Sequence, residues 1–432
     1  MKLVSDHSIA AGQDLHPVLD FIQTYRAGVP QDQVVADLTF GNPHEQPLPD
    51  LVRALRTHIE PQATDWFAYK FSEPEPRRII AEGLRAELGL NFSPDDIAMT
   101  RGAYGAIVLA FSILLDPGDE CIIPVPGWFL YESSLSLCRA VTVKVRLRDH
   151  DYDLDIGAIE AAITARTRIV IVNTPHNPTG VIYSRERLQE LAAMLHRKSA
   201  EHGRPIFILS DEPYRRIRFD GAGFTSPAQV YPWTLIDYSF GKVLLAPGLR
   251  LGYLALCPDM PDAARATLRT TAEQTQLAAG CAFPDSVLQY AVKDLETVSI
   301  DVPAYQRKRD RLYDALTHWG YQMTRPAGTF YLWGKAPGGN ALAFAAAMAA
   351  RGVYVMPGTL FERPGDFRIS LTGTRDMIEA SLAAFEALER FRFSRKQIHR
   401  KTRSSAARGS DFRFLVNLNR FRCHGRRLRK RG

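Results

Sequence analysis

Lys242 stands in the turn Ser239-Phe240-Gly241-Lys242, and Arg250 follows in Pro247-Gly248-Leu249-Arg250-Leu251-Gly252. An amine held among small residues can form a Schiff base with an aldehyde, and a guanidinium can grip a phosphate through paired hydrogen bonds. A flat aldehyde cofactor bearing a phosphate needs both groups, together with an acid against its ring nitrogen. Asp211 offers that acid, directly after the apolar run Pro205-Ile206-Phe207-Ile208-Leu209-Ser210. A carboxylate there keeps a pyridine nitrogen protonated, so the ring can accept the electron pair released when a bond to a substrate α-carbon breaks. Tyr214, three residues on, and Asn177, in Thr174-Pro175-His176-Asn177-Pro178-Thr179-Gly180, could each donate to the ring's phenolate oxygen. The chemistry required by this set is that of pyridoxal 5′-phosphate.

These residues need elements that hold them at one edge. The run before Asp211 reads as a buried strand of a parallel sheet, and Thr167–Asn173 reads as another that leads into the Asn177 turn. In open α/β sheets the ligand-binding residues sit at the carboxyl ends of strands, where Asp211 stands. Thr100-Arg101-Gly102-Ala103-Tyr104-Gly105 precedes a helical pattern with Ile107, Val108, Phe111, Leu114 and Leu115 on one face, ended by Asp116-Pro117-Gly118-Asp119. A glycine turn that opens a helix presents free N–H groups and a positive dipole end to an anion. The alternation of strand and helix signals over about residues 50–290 predicts a parallel or mixed sheet covered by helices.

Taken in order, Asn177-Pro178-Thr179-Gly180, Ser210-Asp211-Glu212-Pro213-Tyr214 and the lysine–arginine segment resemble the class I/II aminotransferases of fold type I, the aspartate aminotransferase-like group. Weaker blocks extend the resemblance from about residue 37 to about residue 393. It implies an α/β fold in which residues 51–290 form a large cofactor-binding domain, with a mostly parallel seven-stranded sheet between helices. A smaller α+β domain would combine residues 1–50 with 291–393.

The resemblance also implies site roles. Gly102, Ala103 and Tyr104 would cradle the cofactor phosphate with Ser239 and Arg250. Trp128, in Pro126-Gly127-Trp128-Phe129-Leu130-Tyr131, would stack on the ring, with Phe129 and Tyr131 as rivals. Tyr69 matches a tyrosine that reaches the phosphate from a partner subunit, which implies a homodimer. The glycine usual five residues after that tyrosine is here Pro74. Arg368, in Gly365-Asp366-Phe367-Arg368-Ile369-Ser370, would pair with the substrate α-carboxylate, which Gly41 would approach with its backbone. Asn173 is a further polar candidate at the floor of the site.

The activity implied is transamination in two half-reactions, a ping-pong exchange between an L-amino acid and a 2-oxo acid through a Lys242 aldimine. The same residues would serve a C–S lyase or an enzyme like aminocyclopropane-carboxylate synthase. From another class, a cofactor-binding regulator acting through a basic tail is the alternative. Each residue also has a plain structural reading: a lysine on a turn is usually a solvated charge, Asp211 could cap a helix, and Trp128 could be core. The ordered blocks decide against those readings for Lys242, Asp211 and Asn177.

Length and composition agree. At 432 residues the chain exceeds what one hydrophobic core usually serves. No run of about 18 apolar residues suggests a membrane span, and the first residues lack the apolar core of a signal peptide. The five cysteines have no metal-type spacing, so no metal site is expected, and reduced thiols in the cytoplasm account for them. The net charge of +7 is carried by the C-terminal tail, since residues 395–432 hold 14 Lys and Arg against Asp411 alone. Residues 394–432 are expected to lack stable structure, and only they could bind nucleic acid.

Overall fold

A computed structural model describes residues 3–389. Two sheets organise them. The larger has seven strands: β2 (Ile97–Thr100), β3 (Glu120–Val125), β4 (Val141–Arg146), β5 (Thr167–Asn173), β6 (Phe207–Asp211), β7 (Thr234–Ser239) and β8 (Gly252–Leu256), in the order β2-β8-β7-β6-β5-β3-β4. β4, β3, β5, β6 and β7 run parallel, and β8 is antiparallel to both its neighbours. Strands β3, β6, β7 and β8 are buried along their whole length, so apart from Asp237 in β7 they read in the sequence as largely apolar runs rather than alternating ones.

The smaller sheet takes β1 (Ala36–Leu38) from the N-terminal segment and joins it to β9 (Met323–Thr324), β10 (Tyr331–Lys335), β11 (Val353–Pro357) and β12 (Asp366–Ser370), in the order β1-β11-β12-β10-β9. β1 and β11 are parallel; the other pairs are antiparallel. The last described helix, Arg375–Glu389, turns Ile378, Leu382 and Phe385 into the core beside this sheet. Both sheets and their helices pack as one compact unit up to Glu389. The basic tail expected to lack structure lies outside the described residues.

The architecture is α/β, with a mostly parallel seven-stranded sheet and thirteen α-helices among the described residues. Parallel strands put their carboxyl ends on a common edge. Asn173, Asp211 and Ser239 are the last residues of β5, β6 and β7. Gly252, the first residue of antiparallel β8, pairs with Ser239 on one side and with Thr100, the last residue of β2, on the other. Chain segments remote in sequence therefore meet on one rim.

Candidate active site

The helix Gly102–Leu114 starts at this rim, where Gly102 has φ 73°, a left-handed conformation that favours glycine. A Cβ on Gly102 would lie 2.7 Å from Arg250 Nη2, so the guanidinium rests directly on the glycine backbone. A Cβ on Gly252 would meet the Tyr238 carbonyl oxygen at 2.3 Å and the Gly102 backbone at 2.6 Å, which leaves glycine as the residue that fits between. The first amides of a helix have no acceptor within it. Gly102, Ala103 and Tyr104 thus offer N–H groups beside Arg250, whose own Nη1 and Nη2 donate to the Pro247 and Arg101 carbonyl oxygens at 2.8 and 3.2 Å. Ser239 is buried at the same place and accepts from the Gly241 amide at 3.2 Å.

Lys242 lies in the short helix Phe240–Val243, directly after β7, with its Nζ 5.8 Å from the centre of the Tyr214 ring. Its neighbours Gly241 and Val243 are buried while Lys242 keeps part of its surface accessible. Asp211 is buried and accepts a short hydrogen bond from the Tyr131 hydroxyl. Burial pushes the Asp211 carboxyl above the usual carboxylate range, and the hydrogen bonds from Tyr131 and Asp237 and the charge of Lys242 oppose that. Trp128 stands edge-on between two rings, 5.3 Å from Tyr104 and 5.3 Å from Tyr131. Tyr104 accepts a hydrogen bond from Ser134 Oγ at 3.1 Å.

A chain of hydrogen bonds crosses from one sheet to the other. Asn173 Nδ2 donates to the Asp211 carbonyl at 2.8 Å, and Asn173 Oδ1 accepts from the Asn177 amide at 2.7 Å. Asn177 Oδ1 accepts from Arg368 Nη1 at 2.9 Å, which orients the Nδ2 end of Asn177 toward another acceptor. Arg368 Nη2 donates to the Thr39 carbonyl at 2.8 Å.

The Arg368 guanidinium is buried, lies 3.9 Å from the Tyr331 ring centre and 5.0 Å from that of Phe361, and has no partner for Nε. Among the described residues it has no carboxylate partner. A fork-shaped cation held this way is prepared for a carboxylate that comes from outside the chain. Gly41 closes the same corner. A Cβ there would lie 2.6 Å from Phe330 Cε2 and 2.6 Å from Tyr331 Oη.

Three side chains here make contacts that the sequence did not point to. Tyr131 was only a stacking rival, yet its hydroxyl serves Asp211. Tyr331 reaches Tyr214, and although burial alone would raise its hydroxyl, Arg368, Lys242 and the Tyr214 hydrogen bond bring it below the ordinary tyrosine value. Asp237 is a fully buried acid in β7. Its signal in the sequence is an isolated charge within an apolar strand, five residues before Lys242.

Tyr69 is the predicted site residue that the structure leaves apart from the rest. It is 85% exposed and contacts the Phe283 ring at 5.0 Å. Pro74, in place of the glycine, begins the helix Pro74–Leu88, a position that tolerates proline because the missing amide would lack an acceptor anyway.

The rim therefore suits pyridoxal phosphate in three respects: an anion cradle too tight for a Cβ, a buried acid held by a tyrosine, and a lysine just after β7 on the same rim. Comparison with known proteins leads the same way. The family model described as aminotransferase class I and II matches residues 34–385. The aspartate/prephenate aminotransferase of Thermus thermophilus is 32% identical over 360 residues, covering 81% of this chain and 89% of that protein. The aspartate aminotransferase of Geobacillus stearothermophilus is 31% identical over 338 residues, covering 74% of this chain and 81% of the relative. A crystal structure of an aminotransferase from Eubacterium rectale superposes with a TM-score of 0.83 at 31% identity, covering 90% of this chain and 99% of that one. The aspartate aminotransferase of T. thermophilus with maleate gives a TM-score of 0.75 at 27% identity, over 90% of this chain and all of that one. With a lysine, an acid and an anion cradle on the rim of a sheet shared with these enzymes, the chain belongs to the class I and II aminotransferases and is a pyridoxal phosphate-dependent transaminase.

Proposed function

We propose that the rim residues divide the work of amino transfer between an L-amino acid and a 2-oxo acid, with aspartate as the first donor to test. The observation that carries this is Arg368, a buried guanidinium without a carboxylate partner among the described residues, tied through Asn177 and Asn173 to the strand that ends in Asp211. Bound pyridoxal phosphate supplies an aldehyde carbon for the amino group and a ring that accepts electrons.

The chain's own residues do the rest. Gly102, Ala103, Tyr104, Ser239 and Arg250 hold the phosphate. Asp211 sets a negative charge against the ring nitrogen, with Tyr131 fixing its direction. Asn177 and Tyr214 donate to the phenolate oxygen, and Trp128 covers the ring. Arg368 and Gly41 hold the substrate α-carboxylate. Lys242 Nζ takes the proton from the substrate α-carbon as base and, as acid, gives it to the carbon that the cofactor's aldehyde supplies.

Aspartate is favoured by the names of the Thermus and Geobacillus relatives. A panel of amino acids mixed with the holoenzyme in the absence of a 2-oxo acid tests this through loss of the cofactor's visible absorption. Aspartate is expected to discharge it. Release of pyruvate and ammonia, with the absorption recovering unaided, would instead point to elimination. Arg368→Ala is expected to raise KM for the amino acid about 10²-fold, with the resting spectrum unchanged, because a buried charge pair loses one member. Arg368→Lys should recover only part of that, since an ammonium lacks the fork. An unaltered KM in both variants would remove Arg368 from substrate binding.

Tyr69 fits a homodimer in which its ring enters the partner's site. An aromatic ring 85% exposed, beside the exposed Phe67 and Phe71, marks a face that another surface covers. Tyr69→Ala is expected to weaken cofactor binding about tenfold. Light scattering on the wild type should give twice the chain mass, and an active monomer would overturn the assignment. The two sheets are taken as the centres of a large domain over 51–290 and a small one joining 1–50 to 291–393. The cytoplasm is the proposed location, supported by the free thiols Cys121, Cys138, Cys257 and Cys281. Among the described residues no helix is long and apolar enough to cross a membrane.

A further inference from the structure

Asp211 and Asp237 are direct register partners on the adjacent parallel strands β6 and β7, so their side chains leave the same face of the sheet. Both are buried, and residues paired in register on neighbouring strands lie about 4.8 Å apart, which lets their two carboxyl groups face each other. Two ionised carboxylates cannot share such a place, so one of them keeps a proton. The surroundings decide which. Asp211 has the Tyr131 hydroxyl as a donor and feels the charge of Lys242. Among the described residues no other residue donates to either oxygen of Asp237, and apart from its own backbone amide the groups that bear on it are the acids Asp211 and Glu212. Burial and Asp211 accordingly push the Asp237 carboxyl well above the usual range.

We propose that Asp237 is a positioning residue for the cofactor: kept neutral, it donates its proton in a hydrogen bond to Asp211 and so holds that carboxylate ionised and directed at the ring nitrogen. With two donors on it, Asp211 is a weaker base than burial alone would make it. It then leaves the proton on the ring instead of taking it. A valine at position 237 would fill the strand but leave Asp211 with one donor, and the more basic Asp211 would draw the ring proton to itself. An asparagine would restore a neutral donor of nearly the same shape.

The proposal rests on Asp211 facing the ring nitrogen, and the test separates the two ideas by including Asp211→Asn. In the holoenzyme, a protonated ring nitrogen makes the lysine–cofactor linkage more acidic, so its loss moves the pH midpoint of the visible absorption upward. Asp237→Val is expected to raise that midpoint by about one unit and to weaken cofactor binding to the apoenzyme about tenfold. Asp237→Asn should return both near wild type.

If Asp211→Asn shifts the midpoint but Asp237→Val does not, Asp237 has no such role. A midpoint unmoved by Asp211→Asn would remove Asp211 from the ring nitrogen instead. Should Asp237→Val fail to fold, infrared spectra of wild type and Asp237→Asn at pH 7 decide. A protonated carboxyl band is expected to lose intensity in the variant, beside any contribution from Glu212, which burial pushes up to about 7. No difference in that band would mean Asp237 is ionised, and the proposal would be wrong.

Discussion

Lys242→Ala is expected to lower turnover by about 10⁴-fold or more while leaving the fold intact, because in the proposed mechanism one side chain both anchors the cofactor and carries the α-proton. The fold should survive because the short helix of Lys242 is held by buried Phe240, Gly241 and Val243, and among the described residues the Lys242 side chain has no hydrogen bond or ion pair to another element. Melting temperature within a few degrees of wild type would show this. The visible band of the lysine-bound cofactor should be absent. A small primary amine added to the variant should recover part of the activity, since the missing ammonium leaves room on the rim for a substitute base. Turnover within tenfold of wild type would transfer the proton step to another residue, and Tyr331, whose hydroxyl lies under the influence of Arg368 and Lys242, would be the first to examine.

Asp211→Asn should be the second most damaging change, lowering kcat about 10²–10³-fold and releasing the cofactor on dialysis. An uncompensated buried charge costs about 3–5 kcal/mol, and the protonated ring nitrogen would be that charge once the carboxylate is gone. The variant keeps the shape of the residue and an oxygen for the Tyr131 hydroxyl, so packing among β5, β6 and β7 changes little. Loss of kcat with unchanged KM is the result expected of a group that acts on the ring, whereas Arg368→Ala should act mainly on KM. If Asp211→Asn raised only KM, Asp211 would belong to substrate binding.

Part of the larger sheet was legible because its central strands are buried and appear as short apolar runs, whereas edge strand β4 is largely exposed and the count of seven came from the resemblance. Thr167–Asn173 and Phe207–Asp211 are the clearest cases, and the residues that end them stand on the rim by the geometry of parallel strands. The helix start at Gly102 was legible for a similar reason: a glycine just before an apolar helical face marks where free amides meet the sheet. Trp128 was placed correctly in the loop after β3, but its edge-on packing against Tyr104 and Tyr131 depends on where the helix Tyr131–Leu137 settles.

Other relations had no local signal. Tyr131 reaches Asp211 across 80 positions of chain, and Arg368 reaches Asn177 across 191. Nothing in either neighbourhood encodes the distance between them. The acid pair shows the same limit most plainly. Asp237 is visible in the sequence as a charge out of place in β7, but its meeting with Asp211 follows from strand order and register.

By itself, then, the sequence determined the candidate side chains and the strand ends and helix start that carry them, because those depend on short-range alternation of burial and on turn residues a few positions apart. Tertiary structure alone decided which of them touch: the partner of Asp211, the tie from Arg368 to Asn177 and the exposure of Tyr69. Those outcomes come from pairing and packing between distant segments, where free energy depends on what lies across the sheet rather than on what lies next along the chain.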